Sequence, residues 1–283
     1  MDLITKLAEL IRKLDESFTF TMLEIGGVPL SNKPEPFHRL VDLFPGSQVY
    51  AFEVDKAQCD ILNESSKPGI KFFANALGRT EETRPFYETQ HPMCSSLYEP
   101  NEKLLKLFTN FEVVHLKSVS QIETVSLDFF AKNNNIAPVD FIKIDIQGAE
   151  LDVFKGAVNV LKGVVTIVSE VEFIPLYVNQ PLFGDVCSYL SKQDLMFHKF
   201  LGLAGRTLSP ITIDNNPNLA TQHCWSDAVF IRDIFKVSDL TSVQLLKLSM
   251  LAFLYGSPDL TFHALQHFDK LMGTKSSASF LNL

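Results

Sequence analysis

Three short β-rich runs alternate with two helical ones over the first 74 residues, and this alternation constrains the fold more than any other feature of the chain. FTFTMLE (18–24) is rich in β formers and stops at Gly26-Gly27, which reads as a first strand and a turn. PEPFHRLVDLF (34–44) has helical spacing and ends at Pro45-Gly46. QVYAFEVD (48–55) is a second buried strand closing on Glu53 and Asp55, Lys56–Asn63 is helical, and Ile70–Ala74 is a third strand. Strand–helix–strand–helix–strand in this order is the first half of a parallel, doubly wound sheet.

Residues 78–120 break the rhythm. They are polar, carry Pro85, Pro92 and Pro100, and read as an insertion or lid. The pattern resumes with a helix near 126–133, the strand VDFIKID (139–145), a helix over 148–163 and the strand VVTIVSEVEF (164–173). A helix near Gly184–Lys192 follows, and LMFHKF and DAVFIR supply two closing strands. At the N-terminus Leu3, Leu7, Leu10, Ile11 and Leu14 share one helical face, so residues 1–17 are expected to dock on the main domain. Beyond Val237 the chain is helical again, with Ser257-Pro258 as an N-cap and first-turn pair, and the tail after Gly273 is expected to be loose. The expected division is therefore a docking helix (1–17), a main domain (18–235) and a C-terminal helical extension (236–283). The apolar stripe at Leu245–Tyr255 is expected to pack on its own chain, with a homodimer through these helices as the alternative.

A net charge of −8 with no Lys/Arg-rich run excludes a dedicated nucleic-acid binder, which needs a basic face. No apolar run reaches a membrane-spanning length. Four separated cysteines without metal spacing suit reduced thiols, and with them a cytoplasmic location. No dedicated metal-ligand cluster is visible. His263 and His267, four apart, lack a third ligand nearby and read as a helix surface.

Ligands of an open parallel sheet bind beyond the carboxyl ends of its strands. That rule selects Glu24, Glu53, Asn75, Asp145 and Glu170. Four of these five are acidic, which suits a ligand rich in hydroxyls and amines and repels a pyrophosphate. Gly26 and Gly27 would let the backbone pass close to a nucleoside. However, two adjacent glycines followed by prolines at 29, 34 and 36 are not a dinucleotide fingerprint. Glu53, with Val54 beside it, is placed to accept hydrogen bonds from a ribose diol, and Asn75-Ala76-Leu77 to meet a base. Asp145, with Lys143 on the same strand face, points to the centre of the site. It is a candidate base, or equally half of a structural ion pair. Glu170 and His115 follow it as candidates, with His91 also near the insertion.

DFIKIDIQGAELDVFKGA (140–157) is the most specific stretch, and it resembles the signature of the FkbM-type methyltransferases. AFEVD (51–55), ANALG (74–78), SSL (95–97) and VSLDFF (125–130) resemble other pieces of that family in order, as do SEVEFIPLYVNQPLF (169–183) and WSDAVFIR (225–232). One departure is the first loop, GGVPLSNKPEP, where many members carry a fuller glycine-rich sequence. The resemblance implies a class I methyltransferase fold: a Rossmann-like α/β domain with a mostly parallel seven-stranded sheet and helices on both faces. It also implies S-adenosylmethionine as cofactor and O-methylation of a small-molecule acceptor, a sugar or secondary-metabolite hydroxyl. Two other functions fit the sheet alone, an NAD-dependent oxidoreductase and a non-catalytic nucleoside-binding module.

Overall fold

The strand–helix alternation is realised as a large twisted sheet with a smaller one beside it. A computed structural model describes residues 2–26, 35–216 and 219–283. In chain order the elements are α1 (Leu3–Leu14), β1 (Thr21–Ile25), α2 (Arg39–Leu43), β2 (Gln48–Glu53), α3 (Lys56–Ser65), β3 (Ile70–Ala74) and β4 (Ala76–Gly78). Then come β5 (Glu82–Thr89), α4 (Glu102–Leu105), β6 (Leu116–Ser126), α5 (Leu127–Asn133), β7 (Phe141–Ile144), α6 (Glu150–Lys155) and β8 (Thr166–Glu172). The chain closes with α7 (Phe183–Ser191), β9 (Leu195–Phe200), β10 (Ala204–Arg206), β11 (Gln222–Arg232), α8 (Ser242–Leu254), α9 (Pro258–Met272) and α10 (Ser276–Phe280).

The main sheet has the order β10-β11-β8-β7-β1-β2-β3, with β9 also on β11. Strands β3, β2, β1, β7 and β8 are mutually parallel, and β11 runs antiparallel to β8. The sheet thus has eight strands where seven were expected. The addition is β10, and the length of β11 explains it. Ala228–Arg232 pairs with β9, while Gln222–Trp225 extends beyond β9 and takes a second short partner. The segment expected as an insertion or lid over 78–120 carries regular structure: β5 and β6 pair antiparallel and, with β4, form a three-stranded sheet.

Because side chains alternate across a strand, the two faces of the main sheet build separate cores. One face packs Met22, Phe141, Val168 and Val229 under α1, α8 and α9. The other packs Leu23, Ile142, Ile167 and Phe230 under α5, α6 and α7. In α1, Leu7, Ala8 and Ile11 are buried while Leu3 stays exposed. Leu245, Leu246, Leu248, Met250 and Leu251 of α8 are all buried in the first core, so the C-terminal apolar stripe is spent within the chain. Lys247 of α8 also reaches Asp140 (2.7 Å), which in turn accepts from Thr21 N (2.8 Å) at the foot of β1.

Three local expectations change. The helix expected over 148–163 runs only from Glu150 to Lys155, ends at Gly156, and is followed by a 3-10 turn at Val160–Lys162. Helix α9 begins at Pro258 as expected, but the Ser257 hydroxyl bonds His198 Nε2 (2.8 Å) and makes no side-chain cap on the helix. The tail after Gly273 is ordered. Asp269 accepts from Thr274 Oγ1 (2.6 Å), Ser276 N (2.7 Å) and Ser277 N (2.9 Å), which turns the chain back into α10. No helix among the described residues is long and apolar enough to cross a membrane.

Candidate active site

The carboxyl ends of β1, β2, β3 and β7 converge on one cleft. At its floor Gly26 adopts φ +83°, and a Cβ there would lie 1.9 Å from the carbonyl of Asp145. Only glycine lets the end of β1 cross the end of β7 this closely. Two backbone hydrogen bonds fix the crossing, Gly26 N to Phe52 O (3.2 Å) and Asp145 N to Ile25 O (2.9 Å). Glu53 and Val54 come from the end of β2, and Asn75, Ala76 and Leu77 follow β3. Phe52, Leu97 and Ile146 add apolar walls, and Met93, Ser95 and Ser96 close one side. The cleft holds about 700 Å³ of empty space, part of it open to solvent. Glu53 accepts one hydrogen bond, from Asp55 N to Oε1 (2.9 Å).

A second cleft adjoins the first and shares Met93, Asp145 and Gln147 with it. Its other lining includes Glu170 and Glu172 from β8, Tyr177, Phe111, and Arg206 and Trp225 from β10 and β11. Gln147 is the hub. Its Nε2 donates to both Asp145 Oδ1 (2.8 Å) and Glu170 Oε2 (2.6 Å), and its Oε1 accepts from the Tyr177 hydroxyl (3.2 Å). Tyr177 donates as well to the carbonyl of Cys94 (2.7 Å), and Ser96 Oγ donates to the carbonyl of Gln147 (2.7 Å). These bonds tie the segment around residues 94–96 to the β7–α6 turn. The turn itself is tight, with Gln147 at φ +58° and Gly148 at φ +97°. Glu150 braces it by accepting from Ile146 N (2.8 Å) and Gly148 N (3.3 Å).

The second cleft concentrates its charge out of water. Burial, then Asp145 and Glu172, push the Glu170 carboxyl well above the usual range. Burial, then Glu150 and Asp145, do the same to Glu172. Both are biased toward their protonated form, as expected for carboxyls crowded in low dielectric. Lys143 lies beneath Asp145. Burial opposes its charge, but Asp145 (3.9 Å) and Asp227 (2.8 Å) outweigh that and hold the ammonium above its ordinary range.

The residues selected from sequence separate into three groups. Gly26, Glu53, Val54, Asn75, Ala76, Leu77 and Asp145 line the first cleft, and Asp145, Glu170 and His91 line the second. Glu24 lines neither. It lies inside β1, level with Lys143 of β7, and is buried with its carboxylate 2.8 Å from His38 Nε2. His115 also stays away, its Nδ1 2.5 Å from Glu102 Oε2. Gly27 lies outside the described residues. Among those residues no group of three or more His, Cys, Asp or Glu is placed to hold a metal ion, and His263 and His267 contact each other edge to face at 4.7 Å. Gln147, Glu172, Tyr177, Arg206 and Trp225 were not selected from sequence. For Gln147 a signal existed, since it sits in the Asp-Ile-Gln-Gly turn that ends a buried strand.

Comparison with known families gives a match to the methyltransferase FkbM domain over residues 31–197, more than half of the chain. The chain belongs to the FkbM methyltransferase domain family. The FkbM match contains Glu53, Asn75, Asp145, Gln147, Glu170 and Tyr177, whereas Arg206 and Trp225 lie beyond it. Among solved structures, this FkbM domain is similar to a methyltransferase FkbM from Methylobacillus flagellatus KT, with 13% identity and a TM-score of 0.40 over 76% of this chain and 44% of that one. It therefore spans less than half the length of that relative. It is also similar to a putative methyltransferase from Thermoplasma acidophilum, with 10% identity and a TM-score of 0.34 over 76% of this chain and 68% of that one. No curated protein matches the chain.

Proposed function

We propose that this FkbM domain transfers the methyl group of S-adenosylmethionine to a hydroxyl oxygen of a small-molecule acceptor, a carbohydrate or a comparably hydroxylated compound. The observation that carries the reading is the meeting of two clefts at Asp145 and Gln147. One cleft has the chemistry of a nucleoside site and the other that of a polar acceptor site.

The first cleft fits the donor. Its floor is backbone because Gly26 leaves no room for a side chain. Glu53 offers a carboxylate to a ribose diol, Asn75 offers an amide to a base edge, and Phe52, Leu77, Leu97 and Ile146 offer apolar walls. No Lys, Arg or His among the described residues lines it, so a pyrophosphate would meet only Glu53 and Asp145 as charges there. When bound, S-adenosylmethionine supplies a methyl carbon activated by a positively charged sulfur.

The chain's own contribution is positioning, exclusion of water and proton handling. Asp145, between the clefts, accepts the proton that the acceptor hydroxyl gives up. Glu170, whose carboxyl burial and Asp145 push above the usual range, serves in its protonated form as a donor that orients the acceptor. Gln147 keeps the two carboxyls at a fixed separation, and Tyr177 fixes Gln147.

Calorimetric titration with S-adenosylhomocysteine and, separately, with NAD tests the reading. Micromolar binding of S-adenosylhomocysteine and none of NAD is expected. NAD binding without S-adenosylhomocysteine binding would turn the chain into an oxidoreductase, and binding of neither would make it a module that has kept only the fold.

A further inference from the structure

Arg206 is the unbalanced group of the acceptor cleft. It ends β10, beyond the segment matched by the family, and its guanidinium lies against two adjoining aromatic rings whose centroids are 6.1 Å apart. Its Cζ lies 5.0 Å from the centroid of Trp225 and 5.4 Å from that of Phe111. Its one side-chain hydrogen bond among the described residues runs from Nη1 to the carbonyl of Gly205 (2.8 Å). Its Nε is buried and has no partner there. No carboxylate among the described residues forms an ion pair with it, whereas Arg84 pairs with Asp152 at 2.7 Å and the amine of Lys143 with Asp227 at 2.8 Å.

A half-buried guanidinium without a counter-charge is costly unless something neutralises it in the working state. Burial pulls the Arg206 cation down, and only the thiols of Cys224 and Cys94 act in the opposite direction. The two aromatic rings hold the planar fork in one orientation, which is how arginine is prepared for bidentate recognition of an oxyanion. Glu170 and Glu172 line the same cleft, and burial and mutual crowding push both carboxyls well above the usual range, which weakens the repulsion an anion meets there.

We infer that the acceptor carries an oxyanion, a carboxylate or a phosphate, which Arg206 holds against Trp225 and Phe111 while the reacting hydroxyl lies at Asp145. The inference rests on the methyl-transfer reading and narrows its substrate class to hydroxylated anions, of which acidic sugars and sugar phosphates are the simplest. A neutral hydroxyl compound leaves the guanidinium unpaired and is disfavoured for that reason.

The test uses the full chain saturated with S-adenosylhomocysteine and ligand-observed NMR titration of defined probes. These are glucuronate and galacturonate, their methyl esters, the parent hexoses, and the corresponding hexose 6-phosphates. Tighter binding of the anionic members by about tenfold or more is expected for the wild type. That preference should fall to about onefold in Arg206→Gln and survive in part in Arg206→Lys, with S-adenosylhomocysteine affinity unchanged in both. Preference for uronates identifies the anion as carboxylate, and preference for the phosphates identifies it as phosphate. Equal binding of acid and ester by the wild type, no binding of any anionic probe, or a preference untouched by Arg206→Gln would each overturn the inference. If S-adenosylhomocysteine itself fails to bind, the methyl-transfer reading falls. If it binds and the anion preference is missing, only the assignment of Arg206 falls.

Discussion

The two clefts share a wall and are built by different means. The first is made from the ends of adjacent parallel strands, with a backbone floor, apolar sides and Glu53 as its strand-end carboxylate. The second is gathered from the segment between β5 and β6, from β8, and from β10 and β11 at the sheet edge. It concentrates Asp145, Glu170, Glu172, Tyr177 and Arg206 around one glutamine. The first can accept its ligand with little electrostatic adjustment. In the second nearly every polar group depends on another for its charge or its orientation. Substitutions in the first cleft should therefore act singly and on binding, and those in the second on turnover and on proton balance.

The largest expected effect is at the shared wall. Asp145→Asn keeps the shape and the bond to Gln147 but cannot accept a proton, so the turnover number should fall by about 10²–10⁴-fold. Its affinity for S-adenosylhomocysteine should stay within about threefold of the wild type. Steady-state kinetics together with calorimetry separate the two quantities. An equal loss in both would return Asp145 to the first cleft and erase the division of labour.

Glu53→Ala should do the reverse. Two charge-assisted hydrogen bonds to a ribose are worth about 3 kcal/mol together, which is about a hundredfold in affinity for S-adenosylhomocysteine. Unchanged affinity would remove the ribose assignment. Between these two, Gln147→Leu leaves Asp145 and Glu170 without their common donor. A loss of about tenfold in turnover is expected, with cofactor affinity intact, because the carboxyls lose their fixed spacing. A wild-type rate in this variant would mean that the hub is architectural.

The sequence was informative about the first cleft for the same reason that this cleft is simple. The alternation of strands and helices locates the sheet, and the position of ligands at strand ends locates Glu53, Asn75 and Asp145 without any knowledge of side-chain contacts. Glu24 shows how narrow that inference is. Strand β1 runs on to Ile25, one residue further than its β-rich run suggests, so Glu24 lies within the strand beside Lys143 and Ala51 and not at its tip. There Glu24 meets His38. The second cleft was not readable, because Arg206 stands on a three-residue strand too short to show a period and Trp225 on the far end of an eleven-residue one. Their juxtaposition with Phe111 depends on how the edge of the sheet closes over the inserted segment. His115 was selected for its residue type, and type alone could not foresee its pairing with Glu102.

The smallest effect is on stability, and it distinguishes the clefts by their proton balance. Glu172 is protonated in the folded chain to a higher pH than in the unfolded chain, because burial and the neighbouring Glu150 and Asp145 disfavour its charge. Between the unfolded and folded pKa the native state binds the extra proton. Stability is therefore full below the unfolded value and declines as pH rises toward the folded one. Glu172→Gln keeps the size and a donor but removes the titration. As pH rises above the ordinary carboxylate range, the melting temperature of the variant should decline less than that of the wild type. Parallel slopes for wild type and Glu172→Gln would show that the second cleft carries no buried proton at this carboxyl, and the contrast between the two clefts would then be one of shape alone.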